Sequence, residues 1–236
     1  MIQFYSPDIT ETLTLPESDS QHCVRVLRMR EGNELSVVDG HGNRYHCRLV
    51  DAHHKHAAIE IVEREEVPLP WTQNITVAVA PTKNMDRMEW LVEKLVEIGI
   101  NRLVPIKCHH SERKEIKTER LEKIAVSAMK QSLKAVLPEI MPMTPFADLM
   151  RMPCEQRFIA YCDPSIPRRQ LSELYIPHRD ATILIGPEGD FSPEEIKTAL
   201  STDYQPVTLG DNRLRTETAA LYSASAFHIL DSLQPM

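Results

Sequence analysis

No stretch of this 236-residue chain comes close to about 18 uncharged apolar residues in a row, so no membrane-spanning helix organises it. The N-terminal MIQFYSPD lacks the basic-then-apolar layout of a signal peptide, and a cytoplasmic protein is expected. Cys23, Cys47, Cys108, Cys154 and Cys162 are odd in number and form no C-x-x-C, which points to free thiols in a reducing compartment and away from a structural zinc site. Neither G-x-x-x-x-G-K-[ST] nor G-x-G-x-x-G occurs, so a phosphate cradle of either type is excluded. A basic excess is missing as well. With a formal net charge of −7, any nucleic acid must be held by local patches and not by a general positive field.

What the chain does have is a well-punctuated stretch from Ala181 to Ser225 containing two strand-loop-helix units. Thr182 to Ile185 reads as a short buried strand, Gly186-Pro187-Glu188-Gly189 as a turn, and Ser192 as the cap of a helix with Pro193 at its first position. Glu195 falls where its carboxylate reaches back to the Ser192 N–H, completing a capping box. Val207 to Leu209 then reads as a second strand and Gly210 to Leu214 as a loop, with Thr216 or Thr218 capping a helix to about Asp231. Glycine loops at the carboxyl ends of adjacent strands are where an open α/β sheet keeps its ligand, so the active site is expected here.

The remaining chain divides in two. Residues 1–70 predict a helix over Glu17 to Arg30 and then strands around Leu35 and Val37, Tyr45 to Leu49, and Ala57 to Ile61, with a hairpin at Asp39 to Asn43. Short strands joined by turns predict a small, partly closed β-barrel. After Pro68 and Pro70 the period changes. Strands are expected at Ile75 to Ala80, Arg102 to Ile106 and Arg157 to Cys162, with helices at Met85 to Ile98, Thr118 to Leu137 and Arg168 to Leu174. Alternation of this kind predicts a largely parallel sheet over 71–236. Gln131 falls on the apolar stripe of the Thr118 helix and is expected to need a partner.

Backbone groups of IGPEG, unobscured at Gly186 and Gly189, suit an adenine edge and so a nucleoside-containing cofactor; the alternative is an ordinary turn. Arg213, Arg215 and Glu217 surround a helix start, where a guanidinium could bind phosphate or stabilise an oxyanion and the Glu217 carboxylate could bind a ribose hydroxyl, orient Arg215 or take a proton; the alternative is a solvated helix end. His53, His54 and His56 lack the company of a metal site and read as a solvated turn. His109 to Lys114 follows a strand end on the same sheet edge as the glycine loops. Arg25, Arg28 and Arg30 form a basic helix face, the candidate RNA contact of the first domain.

LIGPEGDFSPEE at Leu184 to Glu195 and LGDNRLRTETA at Leu209 to Ala219 closely resemble the two signature stretches of the ribosomal RNA small subunit methyltransferase E family, within the SPOUT methyltransferases. Arg25-Val26-Leu27-Arg28, Glu93-Lys94, Glu97-Ile98-Gly99, Ser111-Glu112-Arg113, Lys130-Gln131-Ser132 and Pro138-Glu139-Ile140 also look like family positions. The resemblance implies a PUA-like RNA-binding β-barrel at 1–70 and, at 71–236, a SPOUT α/β domain whose parallel sheet ends in a trefoil knot. It implies S-adenosylmethionine-dependent methylation of N3 of a uridine in 16S ribosomal RNA, by a homodimer needing no metal. The net charge of −7 favours the assembled small subunit as substrate. Cofactor contacts carry over to Leu184, Ile185, Gly186, Pro187, Glu188, Gly189, Leu209, Gly210, Leu214, Thr216, Thr218 and Ala219, and Arg215 and Glu217 are the candidates for catalysis; the candidate RNA contacts are Arg25 and Arg28, with Lys83, Arg113 and Gln131 expected to hold a flipped nucleotide. The chain departs from the family pattern at Asp190, commonly glycine, and at Asp211-Asn212-Arg213-Leu214, commonly more apolar. Competing readings are a SPOUT enzyme for another RNA position and a non-enzymatic RNA-binding assembly factor.

Overall fold

The computed structural model describes residues 2–163 and 167–234. The chain forms two compact units, Met1–Pro70 with Val126–Leu137, and Trp71–Ala125 with Pro138–Met236. In the first, the elements are β1 (Gln3–Tyr5), α1 (Ile9–Thr12), α2 (Glu17–Gln21), β2 (Glu34–Val38), β3 (Asn43–Asp51) and β4 (Ala58–Glu66). They make a sheet in the order β1-β2-β3-β4, parallel at β1–β2 and antiparallel elsewhere. Alternation along β3 sends Tyr45, Cys47 and Leu49 inward onto Phe4, Ile9, Val37 and Ile59. The chain between α1 and α2 returns to the β4 edge, where Leu15 N donates to Ala57 O and Ile59 N to Leu13 O, both at 2.9 Å, so the sheet is partly closed.

The hairpin at 39–43 is organised by one buried carboxylate. Asp39 Oδ1 accepts from the backbone N–H of His41 (2.8 Å) and Asn43 (3.2 Å), while Oδ2 accepts from Asn43 Nδ2 (2.6 Å) and the Tyr45 hydroxyl (3.3 Å). Burial alone would raise the Asp39 pKa, but these four donors outweigh it and hold the carboxyl below its usual range.

The expected helix over Glu17 to Arg30 is corrected. Its α-helical part ends at Gln21, a single π-helical turn covers His22–Val26, and Arg28 adopts a left-handed φ of 55°. Tertiary packing wins over helical period, because Cys23 is fully buried and Met29 N folds back to Cys23 O. Arg25, Arg28 and Arg30 are all exposed but share no helix face.

The second unit runs β5 (Ile75–Val79), α3 (Met85–Ile98), β6 (Arg102–Lys107), α4 (Thr118–Gln131), β7 (Glu139–Ile140), β8 (Thr144–Pro145), α5 (Phe146–Leu149), β9 (Gln156–Ala160), β10 (Arg169–Gln170), α6 (Leu171–Leu174), β11 (Ala181–Ile185), α7 (Pro193–Ser201), β12 (Gln205–Thr208) and α8 (Thr216–Leu233). Residues 126–131 of α4 cluster with the first unit. The sheet order is β10-β12-β9-β11-β5-β6-β7, with β8 also on β6, and every described pairing is parallel. Every residue of β5 and β11 is buried, as strands covered on both faces require. Met88, Leu91, Val92 and Leu95 form the buried face of α3, which is capped by the Asn84 side chain and stopped at Gly99.

Four expectations are corrected here. The Thr118 helix stops at Gln131, because Val136 bridges to Gly40 and Leu137 N donates to Gly40 O instead of continuing the helix. Gln131 itself is exposed, so it carries no desolvation cost. The segment over Arg168 to Leu174 is a two-residue strand and a single helical turn, not one helix. Finally, β11 and β12 are not adjacent, since β9 lies between them and pairs with both.

Candidate active site

Because β9 separates β11 from β12, the two glycine loops stand on either side of it and enclose a cavity of about 540 Å³ at the carboxyl ends of all three strands. One wall is Ile185, Gly186, Pro187, Glu188, Gly189 and Asp190; the opposite wall is Val207 to Gly210 with Asn212, Arg213 and Leu214. The floor comes from Ala160, Tyr161 and Cys162 at the end of β9, and Arg215, Thr216, Glu217 and Ala219 line the cavity from the start of α8.

Local sequence accounts for this shape. The α7 capping box is complete: Ser192 N donates to Glu195 Oε2 at 2.9 Å and Glu195 N to Ser192 Oγ at 3.2 Å. Glu195 Oε1 also accepts from His109 N at 2.8 Å, holding the loop after β6 against the first glycine loop. There His110 Nδ1 lies 3.1 Å from the Asp190 carbonyl. Asp190 has φ 63°, a left-handed conformation that glycine adopts freely and aspartate tolerates by hydrogen bonding locally. Its carboxylate accepts from Phe191 N (2.8 Å) and from Cys162 N (2.7 Å), joining the first loop to the floor.

Gly186 leaves room for the protein's own packing more than for a ligand, since an added Cβ would lie 3.0 Å from the Phe191 ring. Gly210 differs. At φ 106° an added Cβ would meet nothing within 4 Å, so this glycine borders open cavity. The two loops are joined where Thr216 Oγ1 donates to Gly186 O at 3.2 Å. Thr216 is therefore the first residue of α8 and not its cap; the cap position is Arg215, extended at ψ 159° and without a side-chain cap bond.

Of the residues picked out in the sequence, Ile185, Gly186, Pro187, Glu188, Gly189, Leu209, Gly210, Leu214, Arg215, Thr216, Glu217 and Ala219 line this one cavity. Leu184 packs in the core beneath it and Thr218 is exposed; neither is on its wall. Lys83 and Arg113 come together around a second depression, where Lys83 Nζ pairs with Glu112 at 3.2 Å and the Arg113 guanidinium donates to the carbonyls of Thr82 (3.2 Å) and Lys83 (2.7 Å). Arg25, Arg28 and Gln131 belong to the first unit.

Arg87, Tyr161, Cys162 and Arg168 also line the cavity, and no motif in the sequence marks them as site residues. Tyr161 and Cys162 are placed by sheet order. Arg168, whose guanidinium donates to the Tyr161 carbonyl and lies 5.6 Å from the Tyr161 ring centre, was hidden in the supposed helix. Arg87 does have a legible mark, a cation in the first turn of α3, where the helix dipole disfavours it. Its Nε lies 3.7 Å from Glu217 Oε1 and its Nη1 4.0 Å from Glu188 Oε1. Among the described residues, no group of three His, Cys, Asp or Glu is set to hold a metal, and no helix is long and apolar enough to cross a membrane.

Known proteins share this arrangement. A family profile described as an RNA methyltransferase domain matches residues 69–228, and one described as an RNA methyltransferase PUA domain matches 15–62. A crystal structure of a probable rRNA-methyltransferase from Porphyromonas gingivalis is 44% identical, with a TM-score of 0.95 over 100% of both chains. A ribosomal RNA small subunit methyltransferase E from Neisseria gonorrhoeae, solved bound to S-adenosyl methionine, is 28% identical, with a TM-score of 0.86 over 98% of both chains. The Aquifex aeolicus protein of that name is 29% identical over 92% of this chain and 95% of its own length. Parallel α/β sheet, carboxyl-end cavity and PUA match together define an RNA methyltransferase. The chain belongs to the ribosomal RNA small subunit methyltransferase E family.

Proposed function

We propose that this enzyme methylates N3 of a uridine in 16S ribosomal RNA, within the small subunit and as a homodimer, using S-adenosylmethionine. The observation that carries the reading is the convergence of both signature loops and the first turn of α8 on one cavity of about 540 Å³ that has no phosphate loop. The residues fit the cofactor: the volume is in the usual ligand range of roughly 300–1,000 Å³, Gly210 borders open space, and the backbone of 185–189 and 209–210 offers donors and acceptors for an adenine edge.

The bound cofactor would supply a methyl group already activated by its positively charged sulfur. The chain's own residues must align N3 with that carbon and manage the N3 proton. Arg215 and the free backbone N–H groups at the start of α8 are assigned to the negative charge that spreads onto O2 and O4 as the proton leaves. Glu217, buried in the cavity wall, is assigned the proton itself. Its described ion partner is Arg87, which favours this role over the orienting of Arg215.

For the RNA, the reading assigns residues 1–70 as the PUA-like domain, with Arg25 and Arg28 on its surface, and 71–236 as the methyltransferase domain, with Lys83 and Arg113 holding a flipped nucleotide; Gln131, which clusters with the first unit, is assigned an RNA contact there. A C-terminal trefoil knot is part of the same reading. The homodimer is supported by α8, whose Tyr222, Ile229 and Leu233 are 51%, 59% and 70% exposed at spacings that keep them on one stripe.

Mass spectrometry of ribosomal RNA from cells lacking the gene tests the reaction. One N3-methyluridine should disappear and be restored when purified protein and S-adenosylmethionine are added to small subunits. An unchanged nucleoside profile refutes the proposal.

A further inference from the structure

We propose that Arg87 is a positioning residue that holds the Glu217 carboxylate aimed at the reacting nucleotide, an inference that rests on Glu217 being the proton acceptor. Glu217 is a carboxylate whose side chain is only 8% exposed, and a buried carboxylate needs a partner group to offset its lost hydration. The Arg87 guanidinium, 38% exposed, supplies that compensation from a different helix, with Nε 3.7 Å from Glu217 Oε1. The separation is a charge contact and not a short hydrogen bond, so the carboxylate lone pairs stay free to take a proton.

Two further features point the same way. Arg87 stands in the first turn of α3, the end of a helix where a cation is disfavoured, so its position serves something outside its own helix. The neighbouring Met88, Leu91 and Val92 are fully buried and α3 packs along α8, which fixes the height of Arg87 over the first turn of α8. The same guanidinium lies 4.0 Å from Glu188 on the first signature loop, so it also registers that loop with Glu217. Arg87 thereby links the proposed cofactor loop to the proposed proton acceptor without touching the reacting atoms.

The test is a double-mutant cycle on the full-length enzyme with small subunits lacking the modification, reading total labelled methyl transferred to RNA. Arg87→Gln should lower kcat about tenfold to a hundredfold while KM for subunits and the calorimetric Kd for S-adenosylmethionine move less than about threefold. Arg87→Lys should restore most of the loss, because it returns the charge without the planar fork. The pair Arg87→Gln with Glu217→Gln should be no slower than Glu217→Gln alone, since Arg87 has nothing left to hold. Multiplicative losses, a defect confined to KM for subunits, or a Lys variant as slow as the Gln variant would each overturn the inference. Nucleoside analysis of the wild-type product separates the two claims: methyl on an atom other than N3 refutes the proposed reaction, while the cycle still reports on Arg87.

Discussion

The Thr216 hydroxyl donates to the Gly186 carbonyl at 3.2 Å, so the start of α8 is tied to the first glycine loop and the two signature stretches share one wall. Both residues are buried. Thr216→Val keeps the shape and removes the donor, leaving a buried carbonyl unpaired at a cost of about 1–3 kcal/mol. A lowered melting temperature together with weaker S-adenosylmethionine binding by calorimetry is the expected result, whereas Thr216→Ser should stay near wild type on both.

Gly186→Ala places a Cβ 3.0 Å from the Phe191 ring and 3.4 Å from Phe191 N. Phe191 packs in the core against Phe146, so it has little room to retreat. Overpacking of this kind costs about 1–3 kcal/mol. Chemical denaturation should show that loss, and cofactor affinity should fall further than after Gly210→Ala if the first loop is displaced into the cavity.

Arg215→Ala should reduce kcat by roughly 10²–10³, the usual consequence of removing one donor from a developing oxyanion. Its side chain is exposed and carries no cap bond, so folding stability should hardly change. Single-turnover methyl transfer, measured beside a melting curve, distinguishes this from a structural defect.

The thiols should react in a definite order. Burial pushes Cys47 up to about 11 and raises Cys108 further, so neither presents thiolate near neutral pH. Cys162 is exposed and lines the cavity. Alkylation followed by peptide mass spectrometry should find Cys162 modified first, and S-adenosylmethionine should slow that reaction.

Asp39 gives the first unit an acid limit. Its folded pKa lies below the ordinary carboxylate value, so the stabilisation is complete above about 3.9 and is lost as pH falls through the folded pKa. Replacing it with Ala should destabilise the hairpin at neutral pH and flatten the acid dependence of unfolding below about pH 4.

Periodicity and punctuation made much of this molecule readable in advance. The α7 capping box, the buried face of α3 and the buried strands β5 and β11 follow from neighbours in sequence, because hydrogen bonds and side-chain spacing at that range do not depend on the rest of the chain. Helical period alone overextends the Glu17 and Thr118 helices for the opposite reason. Cys23 is drawn into a core, and Val136 pairs with Gly40, both contacts made across long stretches of chain.

By itself the sequence determined the parallel α/β plan, the two signature loops and the family to which the enzyme belongs. Only the tertiary structure decided that β9 comes between β11 and β12, that Tyr161, Cys162 and Arg168 therefore reach the cavity, and that Arg87 on α3 faces Glu217 on α8. Strand order and helix-to-helix approach are set by the joint burial of surfaces far apart in the chain. A reading of local spacing carries no information about that packing.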